Sequence, residues 1–384
     1  MKNICIVVGS RANYSSIQSV MLAVKNHPNL NLQTVVGVSA ILDKYGNVAN
    51  NIENDGFTIH HKFYCQLEGG NLNVMAKTTG LAIIELSSIF EQLKPDTVVT
   101  VGDRYETMAT TIAAAYMNIT LAHTMGGEVT GTIDESIRHA TTKFAHLHFP
   151  ASEDARQRIL ALGEEESTVF NFGCPRIDLV KEILERDTAI NSISELIDNG
   201  VGDAIDFEKP FLLISQHPVT TEYEKSRNDI QHTLEAIEDI GIQSIILWPN
   251  SDAGTDEISR GMRIWRNSKR STKTRFYKNL RIETYVNLMN KTACLVGNSS
   301  SGIREGAFIG TPCVNIGSRQ NMREKAKNVI DVKPDKKEII NAVLMQIENG
   351  KYSSSTLYGD GYAGMKIAEK LNSFKSNIQK TITY

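Results

Sequence analysis

The sequence predicts an α/β protein of two doubly wound lobes, each a mostly parallel sheet covered by helices. Three observations carry that expectation. Short runs rich in β-branched residues alternate with longer amphipathic segments, the signature of βαβ units. The alternation restarts after a turn-rich stretch near 173–208. The chain's 384 residues also exceed the roughly 250–300 at which a single core stops growing. The expected division is 1–173 and 174–384, with a last helix able to cross back to the first lobe.

In chain order, the strands of the first lobe are ICIVV, LQTVVGVS, TVVTV, ITLAH, HLHFP and TVFNF, with helices between them. The segment 60–73, HHKFYCQLEGGNLN, shows no clear period and reads as a loop near the ligand crevice. The second lobe supplies FLLISQHP, SIILWPN, ACLVGNS, PCVNIG and NVIDV, and Gly359-Asp360-Gly361 marks a turn before the last helix.

A net charge of -3 without a long run of like charges argues against a nucleic-acid partner. The Lys and Arg residues of 260–278 read as a solvated face. No apolar run reaches the roughly 18 residues of a membrane span, and MKNICIVVGS is too short for a signal peptide, so the expectation is a cytoplasmic protein with no membrane partner. Cys5, Cys65, Cys174, Cys294 and Cys313 are scattered, odd in number and lack a C-x-x-C pair, as expected of buried thiols in a reducing compartment.

Chemistry concentrates where strands end. TACLVGNSSSGIREGA, 292–307, reads as a buried strand, a small-residue loop and a helix start. Backbone N–H groups and the helix dipole there would seat a phosphate without a metal, with Glu305 placed to grip ribose hydroxyls; the alternative is an ordinary serine-capped turn. Two further strand ends deliver Gly102-Asp103-Arg104 and HTMGGEVTGTIDESIRH. In an open parallel sheet such loops line the crevice, which would gather Asp103, Arg104, His123, Glu128, Asp134 and Arg138.

VVGSRANYSS is neither G-x-G-x-x-G nor G-x-x-x-x-G-K-[ST], which weakens NAD and ATP-hydrolase readings. Arg11, just after the first strand, is placed for a diphosphate or leaving group, with Ser15 in support. Thr132 and Glu135 form a capping box, which makes Glu135 structural. Asp134 lies four residues before Arg138 and shares its helix face, and Ile133, Ile137, Ala140 and Phe144 make the expected buried stripe. His217, at the end of FLLISQHP, is balanced between a structural and a functional role. His146 and His148 lack a third ligand at useful spacing and read as packing residues rather than a metal site.

Together these segments resemble the UDP-N-acetylglucosamine 2-epimerases, and specifically their hydrolysing branch. The likeness rests on GSRANYS, VGDRYET, GGEVTGTIDESIRHA, SQHPVTT, WPNSDAG, GNSSSGIREGAFIGTP, NIGSRQ and YGDG, in that order over nearly the whole chain. The resemblance implies a glycosyltransferase-B-like fold of two Rossmann-like domains with the site in the interdomain cleft, no cofactor and no metal. It further implies a UDP-sugar substrate, UDP as product and a homo-oligomer, dimer or tetramer. The kinase domain of the animal bifunctional relative is not expected. The family's reaction inverts C2 with loss of UDP: elimination gives a 2-acetamidoglucal, and water then adds. By match, Arg11, Ser299 and Ser300 serve the phosphates and Glu305 the ribose. Arg104, Asn250 and Arg319 line the site, Arg138 contacts the sugar, and Asp103, Asp134 and His217 fall on functional positions. Two positions depart from the family. Met125 stands where many members carry an acid/base glutamate, which leaves Glu128 as its replacement, Asp103 and Asp134 as sufficient, or a different substrate. Asn13 stands where relatives often have aspartate. Some relatives act on a 2,4-diacetamido-trideoxy sugar nucleotide, and a non-hydrolysing epimerase, a glycosyltransferase and a sugar-nucleotide sensor are the competing readings.

Overall fold

The computed structural model describes residues 1–43, 46–68, 72–129, 133–186, 200–219, 223–249, 255–268, 272–278 and 280–383. Two compact units emerge. One comprises 1–129, 133–179 and the chain from Gly359 onward; the other comprises Val180–Tyr358.

The first unit holds β1 (Lys2–Val8), β2 (Leu30–Gly37), β3 (His61–Phe63), β4 (Thr97–Val101), β5 (Thr120–Thr124) and β6 (Leu147–Phe149). They form one sheet in the order β3-β2-β1-β4-β5-β6, parallel throughout. Strands buried on both faces read as continuous apolar runs, which is why ICIVV and TVVTV were legible. The helices are α1 (Arg11–Asn26), α2 (Val48–Asn54), α3 (Leu72–Leu93), α4 (Tyr105–Tyr116), α5 (Ile133–Phe144) and α6 (Glu153–Ala161), while α7 (Pro175–Glu185) begins in this unit and belongs to the other from Val180 onward. The helix Ala363–Ser373 packs on α1, where a Cβ on Gly364 would stand 2.7 Å from the Ser19 carbonyl oxygen.

The second unit orders its strands β13-β12-β11-β8-β9-β10-β7. Here β8 is Leu212–Ser215, β9 Ser244–Leu247, β10 Thr274–Tyr277, β11 Cys294–Gly297, β12 Cys313–Ile316 and β13 Val329–Val332. The short edge strand β7 (Val201–Gly202) runs antiparallel to β10. In each unit the strand order reverses at one place, between β1 and β4 in the first and between β8 and β11 in the second. Ligand crevices in such sheets lie at the carboxyl ends of those strands.

Four expectations need correction. TVFNF forms no strand: Val169 makes an isolated bridge to His148, while Phe172 stacks between Phe149 and Phe170 at 5.9 and 5.7 Å. The supposed loop 60–73 contains β3, held by parallel pairing to Val35–Gly37, and α3 begins at Leu72. The stretch 260–278 does keep its described Lys and Arg side chains out of the core, but it also contains a strand missing from the expected set, β10, whose Phe276 and Tyr277 are core residues. Finally, α5 does not bury an aliphatic stripe. Ile133 and Phe144 are 62% and 40% exposed, and the buried residues are Arg138, Thr141 and Thr142. This helix faces polar partners: Thr141 Oγ1 accepts from Thr111 Oγ1 at 3.3 Å, and Arg138 has its own anion. Thr132, the other half of the expected capping box, lies outside the described residues.

All five cysteines are buried and free. Among the described residues no helix is long and apolar enough to cross a membrane.

Candidate active site

At the switch point of the first unit, the turn after β1 is stitched to the end of β4. Asn13 Nδ2 donates to the Val101 carbonyl at 3.3 Å, and its Oδ1 accepts from Gly9 N at 3.2 Å. The buried Asn13 amide is therefore spent on backbone. Ser15 Oγ accepts from Arg176 Nη1 at 2.6 Å, and partial desolvation together with that same Arg176 lowers the pKa of Arg11 from its ordinary value. Two guanidiniums at one turn favour an anion there. Arg176, which opens α7, was not singled out in the sequence because it lies in no motif.

After β4 the chain turns through Gly102, at φ 72°, into Asp103 and Arg104. The Asp103 carboxylate pairs with the Arg138 guanidinium, which is 1% exposed against 26% for Asp103. Arg138 Nη1 also donates to the Glu128 carbonyl oxygen at 2.6 Å. One buried cation thus ties the β4 loop, the β5 loop and α5 together, so Asp103, Glu128 and Arg138 do converge. Asp134 sits one turn ahead of Arg138 on the same helix, half-buried. Arg104 turns instead to the buried Glu106, Nε to Oε1 at 2.9 Å.

His123 orients this loop from beneath. Its Nε2 lies 2.7 Å from the Gly102 carbonyl, which can only accept, so Nε2 carries the proton. Burial pushes its pKa down to about 4, which makes the imidazole neutral at pH 7. Met125, also buried, has φ 62°, a conformation unusual for a side-chain-bearing residue, and donates its N–H to the Phe149 carbonyl at 2.9 Å. At Gly127 the backbone has φ 75° and lies so close to α6 that a Cβ would stand 2.1 Å from the Ala155 oxygen, so only glycine fits.

In the second unit, β8 leads into Gln216 and His217, and β11 into Asn298. Asn298 clamps the two loops: its Oδ1 accepts from His217 N at 2.7 Å and its Nδ2 donates to His217 O at 2.9 Å. Its own carbonyl accepts from Arg319 Nη1 at 3.1 Å and Gln320 Nε2 at 2.9 Å. At Gly297, with φ 138°, a Cβ would meet the Ser215 oxygen at 2.2 Å, so the close approach of β8 and β11 needs glycine. Burial, and then the Arg319 charge, push the His217 pKa down to about 3.

The expected phosphate loop is tighter than its sequence suggests. Ser299 caps a 3₁₀ turn, Ser300–Gly302, and the following helix, Glu305–Ile309, has only five residues. So short a helix has little dipole to offer, and the N–H groups of Ile303 and Arg304 are closed onto the Ser300 carbonyl. What remains on offer is hydroxyl-rich. Ser299 Oγ lies 2.8 Å from Ser301 Oγ, which in turn is 2.5 Å from Tyr285 Oη. Glu305 is buried beside the equally buried Arg304. A cavity of about 490 Å³ opens at these strand ends, lined by Gln216, His217, Asn298, Gly317, Ser318 and Asn321 among others. Asn298 and Gln216 are the residues that motif reading passed over here. Asn250 lies outside the described residues.

His146, just before β6, and His148 within it serve the core: His146 Nδ1 accepts from Leu121 N at 3.1 Å, and His148 Nε2 lies 3.1 Å from Glu164 Oε2. Among the described residues no cluster of three metal-ligating side chains occurs.

Residues 22–372 match the family model described as UDP-N-acetylglucosamine 2-epimerase. Over 361 residues the chain is 33% identical to the UDP-N,N'-diacetylbacillosamine 2-epimerase (hydrolyzing) of Legionella pneumophila, covering 94% of this chain and 93% of that one. It is 34% identical over 334 residues to the GDP/UDP-N,N'-diacetylbacillosamine 2-epimerase (hydrolyzing) of Campylobacter jejuni, covering 86% and 84%. Among solved structures it superposes on the UDP-GlcNAc 2-epimerase of Neisseria meningitidis bound to UDP-GlcNAc, with a TM-score of 0.82 over 97% of this chain and 99% of that one. At 18% identity that likeness speaks for the fold, two Rossmann-like domains of the glycosyltransferase-B type.

Proposed function

The chain belongs to the UDP-N-acetylglucosamine 2-epimerase family, and from that membership we propose that it is a hydrolysing 2-epimerase of a UDP-activated 2-acetamido sugar. The observation that carries the proposal is the node in which buried Arg138 holds the Asp103 carboxylate and the Glu128 backbone together. Inverting C2 requires a carboxylate held still against a carbon-bound proton, and a guanidinium that is itself immobile supplies that. Of the acetamido sugars, UDP-N,N'-diacetylbacillosamine is the substrate favoured by the two relatives that share about a third of this sequence. UDP-N-acetylglucosamine is the second reading, favoured by the description of the family model.

The chemistry is an elimination followed by a hydration. A carboxylate of the Asp103, Glu128 and Asp134 group takes the C2 proton while the C1–O bond breaks, its electrons leaving with UDP and a C1–C2 double bond forming. Water then adds its hydroxyl to C1, giving its other proton to a carboxylate of the same group, while an acid of that group delivers a proton to C2 from the opposite face, releasing the free epimeric sugar. Negative charge grows on the departing diphosphate, so cations and hydroxyl donors belong there. Arg11, Arg104, Arg319, Ser299 and Ser300 fill that role, and Glu305 accepts from the ribose. Asn13 and Ser15 act through the turns they hold. His217, neutral when the site is empty, gains basicity as the diphosphate arrives and can then carry a proton.

The test is incubation with each UDP-sugar in deuterated water, followed by proton NMR. UDP together with a free, C2-deuterated epimer supports the proposal. An epimer still attached to UDP would make the enzyme non-hydrolysing, release of the unepimerised sugar would point to transfer chemistry, and unchanged substrate would leave binding alone.

A further inference from the structure

A lysine far down the chain ties off the helix that carries Arg138. Lys380 Nζ donates to the carbonyl oxygens of Thr142 at 3.4 Å, Lys143 at 2.9 Å and Ala145, and to Glu164 Oε2 at 2.6 Å. The three carbonyls belong to the last turn of α5 and its continuation, where four backbone acceptors have no intrahelical partner. They also mark the negative end of the helix dipole, where a fixed cation is favourable. Glu164 completes the arrangement. Its carboxylate is 2% exposed and also accepts from Lys143 Nζ at 2.6 Å, with His148 Nε2 at 3.1 Å. The tail that brings Lys380 into place is anchored on both sides: His146 Nε2 meets the Ile378 carbonyl at 3.1 Å, and Thr383 N donates to Gly163 O at 3.1 Å.

We propose that Lys380, seated on Glu164, is a positioning residue that pins the C-terminal end of α5 and so fixes Arg138 and, through it, the Asp103 carboxylate. The proposal rests on the functional reading above for its catalytic consequence but not for the pin itself. Arg138 lies two turns from the pinned end, and α5 presents no aliphatic stripe to hold it in place. Its register therefore depends on polar contacts: Arg138 and Thr141 along its middle, and at its C-terminal end Lys143, which donates to Leu162 O and Glu164, together with Lys380. A helix free to slide or fray by an ångström would carry Arg138 away from Asp103, and misplacements of that size remote from the chemistry can cost about 100-fold in rate.

The experiment compares the full chain with Lys380→Met and Lys380→Arg by amide hydrogen exchange and by steady-state turnover of UDP-N,N'-diacetylbacillosamine and UDP-N-acetylglucosamine. In Lys380→Met, exchange over 139–145 should quicken by about tenfold or more, as for a terminus released to local fraying. Its kcat should fall by about 10- to 100-fold with KM held within about twofold, because the grip on UDP lies on other residues. Lys380→Arg, which keeps the charge and the donors, should restore both. Unchanged exchange in Lys380→Met overturns the pin, and quickened exchange with wild-type kcat overturns its catalytic role. Should the wild-type chain turn over neither sugar, the functional reading falls while the exchange data still decide the pin. Should Lys380→Met not fold, the wild-type chain decides alone: its last α5 turn should exchange no faster than the middle turns, and fraying there overturns the proposal.

Discussion

Replacing Arg138 by methionine keeps an unbranched apolar stem and removes the guanidinium with its charge and its hydrogen-bond donors. In the folded protein that strands the Asp103 carboxylate and leaves the Glu128 carbonyl without its 2.6 Å donor. Breaking a fully buried pair by removing one partner costs about 3–5 kcal/mol, but Asp103 is 26% exposed and water can reach it, which lowers the figure to about 2–3 kcal/mol. At roughly 2–4 °C per kcal/mol for a unit of this size, the melting temperature of the first unit should drop by about 4–12 °C. Turnover should fall by about 10² to 10⁴, the usual worth of a positioned acid or base, because the carboxylate is no longer aimed. The decisive assay is a double-mutant cycle with Asp103→Asn, followed by NMR of product formation. If Arg138 acts through Asp103, Arg138→Met adds little to the kcat loss already present in Asp103→Asn. Losses that simply multiply would refute the coupling and make Arg138 an independent sugar contact.

Glu128→Gln should be as damaging to turnover as Asp103→Asn if Glu128 has taken the acid/base place that Met125 vacates; near-normal kcat by the same NMR assay would reduce Glu128 to shaping the loop. Asn298→Ala should weaken UDP binding in calorimetry by about tenfold, since it removes both bonds that hold His217 and leaves buried partners unsatisfied, while Asp103→Asn should bind UDP as the wild type does. The pH dependence follows from His123, whose folded pKa is about 4 against an ordinary 6.5. As pH falls from about 6.5 towards 4 the unfolded chain takes up a proton that the folded one refuses, so stability declines across that window, and His123→Gln should flatten the slope in melts of the first unit.

The parts of the fold that were legible are those where burial is purely apolar. Runs such as TVVTV can be satisfied only between two helical layers, so they announced a parallel sheet, and the loops leaving it brought Asp103, Glu128 and Arg138 together in the first unit. TVFNF misled because aromatic and β-branched residues look alike to a strand pattern, whereas Phe170 and Phe172 find each other by stacking. β3 is three residues long and has no room for a period, and β10 hides its Phe276 and Tyr277 in a charged stretch.

α5 misled for a reason that bears on the chemistry itself. Hydrophobic periodicity assumes that what is buried is apolar, yet this helix buries Arg138, Thr141 and Thr142 and leaves Ile133 and Phe144 in water. Burying a guanidinium is tolerable only when an anion and carbonyl oxygens meet it, and those partners come from other loops: Asp103, 35 residues away, and the Glu128 backbone, 10 residues away. The far end of the helix repeats the pattern with Lys380, 216 residues from Glu164. No local window contains both halves of either pair, so the pattern looked like an amphipathic helix facing the wrong way. A helix held by such contacts has a defined position rather than merely a defined face, and defined position is what a carboxylate needs if it is to remove a proton from carbon.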